Sequence, residues 1–123
     1  NTLSGGEQRR VHFARTLIQL WRPSASKDPR YMFLDEPTAN LDILHEQNLM
    51  RLLKEKAREG IGVLLILHDL NLAAKYSDKL FIFKEGSLIK SGPPEEVLER
   101  DILSYVYGLT MRVERDPLRV NYY

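Results

Sequence analysis

Arg30-Tyr31-Met32-Phe33-Leu34-Asp35-Glu36-Pro37 is an apolar run that ends in two adjacent carboxylates and a proline. It reads as a buried strand over 30–35, with its acids delivered at the carboxyl end. A second continuous apolar run, Gly62-Val63-Leu64-Leu65-Ile66-Leu67, follows after a stretch with helical periodicity. In that stretch, residues 43–59, Leu49, Met50, Leu53 and Ala57 share one face, and Gly60 is placed to terminate the helix. Two buried strands separated by a helix of this length predict a right-handed βαβ unit in a parallel sheet, and so an α/β fold.

The flanks extend this frame. Upstream, Val11, Ala14, Leu17, Ile18 and Trp21 recur at helical spacing, which predicts an amphipathic helix over 5–21 capped by Ser4. Pro23-Ser24-Ala25-Ser26-Lys27-Asp28-Pro29 is rich in turn residues and reads as a surface loop and the best internal boundary. Downstream, a short helix over 70–76 leads to a hairpin, 79–84 and 87–90 about a Glu85-Gly86 turn. Pro93-Pro94-Glu95-Glu96 opens a further helical region that runs to Tyr107 and is broken by Gly108. Residues 110–114 can form a last short strand, while 115–123 shows no period.

Lys and Arg number 18 against 17 Asp and Glu, so a net charge of +1 gives no basis for a strongly basic nucleic-acid surface. The longest strongly apolar stretch, 63–67, is far short of the ~20 residues of a membrane span. With no cysteine there is neither a disulfide framework nor a thiolate metal site.

Three places carry chemistry. Leu3-Ser4-Gly5-Gly6-Glu7-Gln8 fits a capping box, in which Ser4 and Glu7 satisfy each other's backbone donors. Its two glycines also leave the amides of a helix start bare, a surface suited to a phosphate. Asp35 and Glu36 can divide two tasks, since adjacent strand side chains point to opposite faces. Asp35 would hold Mg²⁺ through water, and Glu36 would polarise the attacking water as general base. Asp42 has a plain role as a helix cap. His68 follows the second strand, where a strand next to the Asp35 strand would bring it to the same sheet edge. His12 and His45 read as helix-surface or partly packed residues.

With these residues in hand, the chain resembles the C-terminal half of an ABC transporter ATP-binding subunit over essentially its whole length. Residues 3–8 resemble the signature motif, 31–36 the Walker B strand, 39–42 the D-loop, and His68 the switch histidine that contacts the γ-phosphate. Residues 84–98 are similar to the hairpin and helix that close the transporter version of this domain. The resemblance implies a partial P-loop NTPase fold: parallel buried strands with flanking helices, then a C-terminal hairpin and helices. Residues 1–29 would be the end of the helical subdomain, and 30–123 the C-terminal part of the ATPase core.

It also implies ATP and Mg²⁺. Ser4, Gly5, Gly6 and Glu7 would contact ATP held by the partner subunit in a head-to-tail homodimer, with Asp42 in the D-loop across that interface. Further partners would be transmembrane permease subunits and, indirectly, a periplasmic or surface substrate-binding protein, with no nucleic acid. The location implied is the cytoplasmic face of the membrane. His68-Asp69-Leu70-Asn71-Leu72-Ala73-Ala74 and Leu103-Ser104-Tyr105-Val106-Tyr107-Gly108 are similar to importers of iron chelates, haem and vitamin B12. The loop over 19–31 is most similar to haem-import ATPases.

The departure is the phosphate loop, because none of the seven glycines forms a Gly-x-x-x-x-Gly-Lys pattern. The base-stacking aromatic and the glutamine that couples to the membrane subunit, both upstream of the signature motif in the family, are missing too. The expectation is therefore a piece of a longer chain, inactive alone, with an apolar sheet face left open and a tendency to self-associate. Two alternatives remain: the C-terminal lobe of a split chromosome-maintenance or DNA-repair ABC ATPase, and a non-catalytic binding remnant. Pro93-Pro94-Glu95-Glu96-Val97-Leu98 and the near-neutral charge weigh against the first.

Overall fold

The structure, a computed structural model, describes residues 2–19 and 27–122. The distal end of the first predicted helix with Trp21, most of the loop over 23–29, and the His12 side chain lie outside the described residues. The chain forms two compact units, Asn1–Leu67 and His68–Tyr123.

The first unit contains α1 (Gly5–Gln19), β1 (Arg30–Asp35), α2 (Ile43–Arg58) and β2 (Ile61–Ile66). β1 and β2 pair in parallel, from Arg30 opposite Ile61 to Asp35 opposite Ile66, with α2 as the crossover. This is the βαβ unit that the apolar runs predict. α2 ends where Gly60 takes a φ of 91°, and the Gly60 N–H donates to the Ala57 carbonyl at 3.0 Å. A left-handed residue just past the last turn is a position that glycine occupies without steric cost.

Burial of the two strands is one-sided, with the open apolar sheet face that the sequence reading expects. Met32, Met50, Leu53 and Ile61 are buried, and α2 lies against β2 on that side. The opposite face is bare: Tyr31 is 63 % exposed, Phe33 70 %, Leu64 48 % and Ile66 55 %. The register puts these four residues on one face, because paired residues of a ladder share a side and alternate along it. Gly62, opposite Tyr31, leaves the room that the ring occupies; a Cβ there would stand 2.5 Å from Tyr31 Cδ1. The strands are as apolar as doubly covered strands are, yet among the described residues only one face is covered. The apolar stripe of α1 is also open, with Val11 and Ile18 exposed.

The second unit runs α3 (Leu70–Tyr76), β3 (Leu80–Lys84), β4 (Ser87–Gly92), α4 (Pro94–Val97), α5 (Arg100–Tyr107), β5 (Met111–Arg115) and β6 (Leu118–Tyr122). The β3–β4 hairpin turns on Glu85 and Gly86, both at positive φ, the conformation that matches the twist of a two-residue hairpin. β6 is the element that the sequence reading leaves without structure; it pairs antiparallel with β5, Val113 opposite Val120. Asn71 binds it at both backbone groups of Val120, donating to the carbonyl at 3.0 Å and accepting from the N–H at 2.8 Å. Ile82, Val97, Leu98, Leu103, Met111 and Val120 form the core.

Two outcomes follow for solution behaviour. Leu103→Ala, at a fully buried position, should destabilise the second unit by about 2–5 kcal/mol in chemical denaturation. Light scattering should find concentration-dependent association of the chain, weakened by Phe33→Ser with Ile66→Ser; a wild-type chain monomeric at every concentration would contradict the role given to the bare face.

Candidate functional site

The capping box at the start of α1 forms as its residues predict. The Ser4 N–H donates to Glu7 Oε2 at 2.7 Å, the Glu7 N–H donates to Ser4 Oγ at 3.3 Å, and the Gln8 N–H donates to the Ser4 carbonyl at 2.9 Å. The hydrogen bond from the Ser4 backbone, then that from its side chain, hold the Glu7 carboxyl below its ordinary pKa. Gly5 and Gly6 follow in the first turn, whose amides have no preceding helical carbonyl to bind. Apart from the adjoining residues and the backbone of α1 itself, no atom of the described residues lies within 4 Å of where a Cβ would stand on either glycine. Neither needs a left-handed φ. Among the described residues, internal packing and backbone conformation give no reason for two glycines here.

Asp35 ends β1 on the bare face, in the row of Tyr31 and Phe33, and is exposed. Glu36 departs from the strand geometry that places adjacent side chains on opposite faces. Its N–H still donates to the Ile66 carbonyl at 3.0 Å, but its φ is 45°, left-handed for a residue with a Cβ. The direction of the Glu36 side chain is set by this kink and not by strand alternation. Non-glycine residues held there store strain, a feature that concentrates at functional sites.

The kink leads into a tight turn. The Ala39 N–H donates to the Glu36 carbonyl at 3.2 Å and the Leu41 N–H to the Thr38 carbonyl at 3.1 Å, with Asn40 at a φ of 62°. Asp42 then caps α2, accepting from the His45 N–H at 2.9 Å. His45 Nδ1 also meets the Asp42 carboxylate, at 2.7 Å from Oδ2, and its Nε2 lies 3.2 Å from Arg10 Nη1. The His45 backbone bond first, and its ring second, keep the Asp42 carboxyl below its ordinary pKa. His45 is a partly packed helix residue, as the sequence reading has it, and what that reading misses is the contact of its ring with Asp42 and Arg10. The signal available was the three-residue spacing from a capping aspartate.

A cleft of about 530 Å³ opens in the first unit between α1, the end of β1 and α2. Phe13, Leu34, Pro37, Leu41, Leu49 and Leu52 give it apolar walls, while Arg10, Asp35, His45 and Asn48 supply polar groups. Among the described residues no three His, Cys, Asp or Glu side chains converge on one point. Asp35 is an exposed carboxylate at the end of β1, and Mg²⁺ takes one or two carboxylates together with substrate phosphates. An exposed Asp35 leaves room for its water shell. His68 is exposed, opens the second unit just past β2, and precedes Asp69, which caps α3 by accepting from the Asn71 and Leu72 N–H groups.

The chain is 49 % identical over 116 residues to the hemin import ATP-binding protein HmuV of Escherichia coli O157:H7, covering 94 % of this chain and 44 % of that protein. It is 47 % identical over 115 residues to HmuV of Rhodopseudomonas palustris, with the same coverage of each. The chain is homologous to the C-terminal region of hemin import ATP-binding proteins. It spans 44 % of the length of these HmuV relatives. No family model matches it.

Solved structures agree on the fold. A metal-chelate type ABC transporter in an inward-facing conformation superposes with a TM-score of 0.78 at 21 % identity, over 98 % of this chain and 47 % of that one. The cbiO1 protein of Clostridium perfringens, part of the ABC transporter complex cbiONQ, gives 0.62 at 35 % identity over 84 % of this chain and 38 % of its own. The α/β architecture of this HmuV homologue is thus that of ABC ATPases.

The lowered pKa values of Glu7 and Asp42 have a definite sign. Each cap stabilises while its carboxylate is charged. That stability is present above the ordinary carboxylate range, near pH ~4, and lost as pH falls through the lower folded-state values. In thermal unfolding followed from neutral to acid pH, Glu7→Gln combined with Asp42→Asn should flatten this acid loss relative to wild type.

Proposed function

We propose that the chain is the part of an ABC importer's ATP-binding subunit that carries the signature motif, the Walker B acids and the switch histidine, in a system that imports haem or an iron chelate. The observation that carries the reading is the start of α1, where the space beside Gly5 and Gly6 that a side chain would take is left open by the described residues packed around it. The HmuV relatives support the haem assignment.

In this reading Ser4, Gly5, Gly6 and Glu7 approach ATP bound to the partner subunit, the glycine amides and the positive end of α1 facing its phosphates. Glu36 orients the attacking water and takes its proton as the oxygen bonds to the γ-phosphorus and ADP departs. Asp35 would hold Mg²⁺ through water, and the ion would supply positive charge to offset that of the transferring group. His68 donates to the γ-phosphate, and Asp42 carries the D-loop across the dimer interface. No helix among the described residues is long and apolar enough to cross a membrane. Attachment to the cytoplasmic face would come through permease subunits, with a substrate-binding protein reached through them.

A chimera of the N-terminal region of the E. coli relative followed by this chain tests the reading. It should hydrolyse ATP with Mg²⁺, and Glu36→Gln should lower turnover about 10²–10⁴-fold, while the 123 residues alone turn over negligibly. Gly5→Val and Gly6→Val should abolish activity without altering the fold. In cells lacking that relative, the chimera should restore growth on hemin as the iron source. A folded chimera without ATPase activity, or turnover indifferent to Glu36→Gln, would overturn the assignment, and growth restored by another iron chelate but not by hemin would overturn the haem part of it.

A further inference from the structure

We infer that His45 is a positioning residue that locks the turn bearing Asp42 to the helix bearing the Ser4-Gly5-Gly6 surface, so that the two move as one body. The donor groups fix the direction of these contacts. A guanidinium has only N–H donors and stays protonated, so in the 3.2 Å contact between Arg10 Nη1 and His45 Nε2 the ring nitrogen must accept. The proton of the neutral ring then sits on Nδ1, where it donates to the Asp42 carboxylate at 2.7 Å. The order Arg10 to His45 to Asp42 is a directed relay, in which the Arg10 contact fixes the tautomer whose Nδ1–H meets Asp42.

Position makes the relay more than a cap. Asp42 already caps α2 by accepting from the His45 backbone N–H, and a capping box would place glutamate or glutamine at residue 45. The imidazole reaches beyond that local task to α1, a contact spanning 35 residues of chain. On α1, Arg10 stands one turn after Gly6 on the same helix face. Arg10, His45 and Asp35 line one cleft, so the relay ties the glycine surface to the turn beside the end of the acid-bearing strand. These are exposed contacts, each weak by itself; their effect lies in orientation.

The functional part rests on the ATPase reading above, and the test separates the two. In the 123-residue chain, nitrogen NMR should find the proton of the neutral His45 ring on Nδ1, the less common tautomer of free histidine, and Arg10→Ala should release it to a mixture. A proton on Nε2 in the wild type, or a tautomer indifferent to Arg10→Ala, would overturn the relay whatever the chimera does. In the chimera, His45→Ala should lower kcat about tenfold or more with little change in the KM for ATP. His45→Gln, whose amide can both donate to Asp42 and accept from Arg10, should restore most of it. An unchanged His45→Ala, or a His45→Gln variant as slow as His45→Ala, would overturn the positioning role. Should the wild-type chimera be inactive, the ATPase reading fails while the tautomer still decides the relay.

Discussion

The parallel ladder between β1 and β2 is the constraint on which the first unit depends. Side-chain direction in a strand repeats every two residues, so a slip of one position would turn Met32 outward and bring Tyr31 and Phe33 under α2. The observed register has a second effect at its end. Asp35 is the last paired residue, and the Ile66 carbonyl then takes the N–H of Glu36, which holds the chain while it leaves the strand plane. The position of the kink, and of the turn that follows to the Asp42 cap, is therefore inherited from β2.

The two faces of that ladder have different fates. One is sealed by α2 through Met50 and Leu53. The other displays aromatic and branched side chains to solvent with Asp35 at its edge, and the Tyr31 ring fills the space above Gly62. Burial of large apolar side chains is the main favourable term in folding, so this face is a reservoir of unused stabilisation. Its apolar character and the neighbouring carboxylate are carried by the same six residues.

Much of the fold was readable because its signals are local. β1 and α3 have the limits that their apolar runs and breakers predict, and Gly60 and Gly108 end helices where they stand. β6 was not read because Arg119 and Asn121 interrupt the apolar pattern. Leu118, Val120 and Tyr122 nevertheless alternate with them at the strand period. At the site, the capping box was legible because its partners lie three residues apart. The left-handed Glu36 was not, since a glutamate gives no hint of positive φ, and the Arg10–His45 contact depends on tertiary packing that local periodicity does not encode.

Glu36 separates two criteria for choosing a residue. Its backbone conformation suits glycine, and holding a side chain there costs about 1–3 kcal/mol. Any procedure that ranks substitutions by folding free energy alone would place glycine at this position and record an improvement. The carboxylate that the proposed function assigns to catalysis would disappear with the strain, so in that reading thermal stability is a misleading guide to improvement at the junction of β1 and the turn.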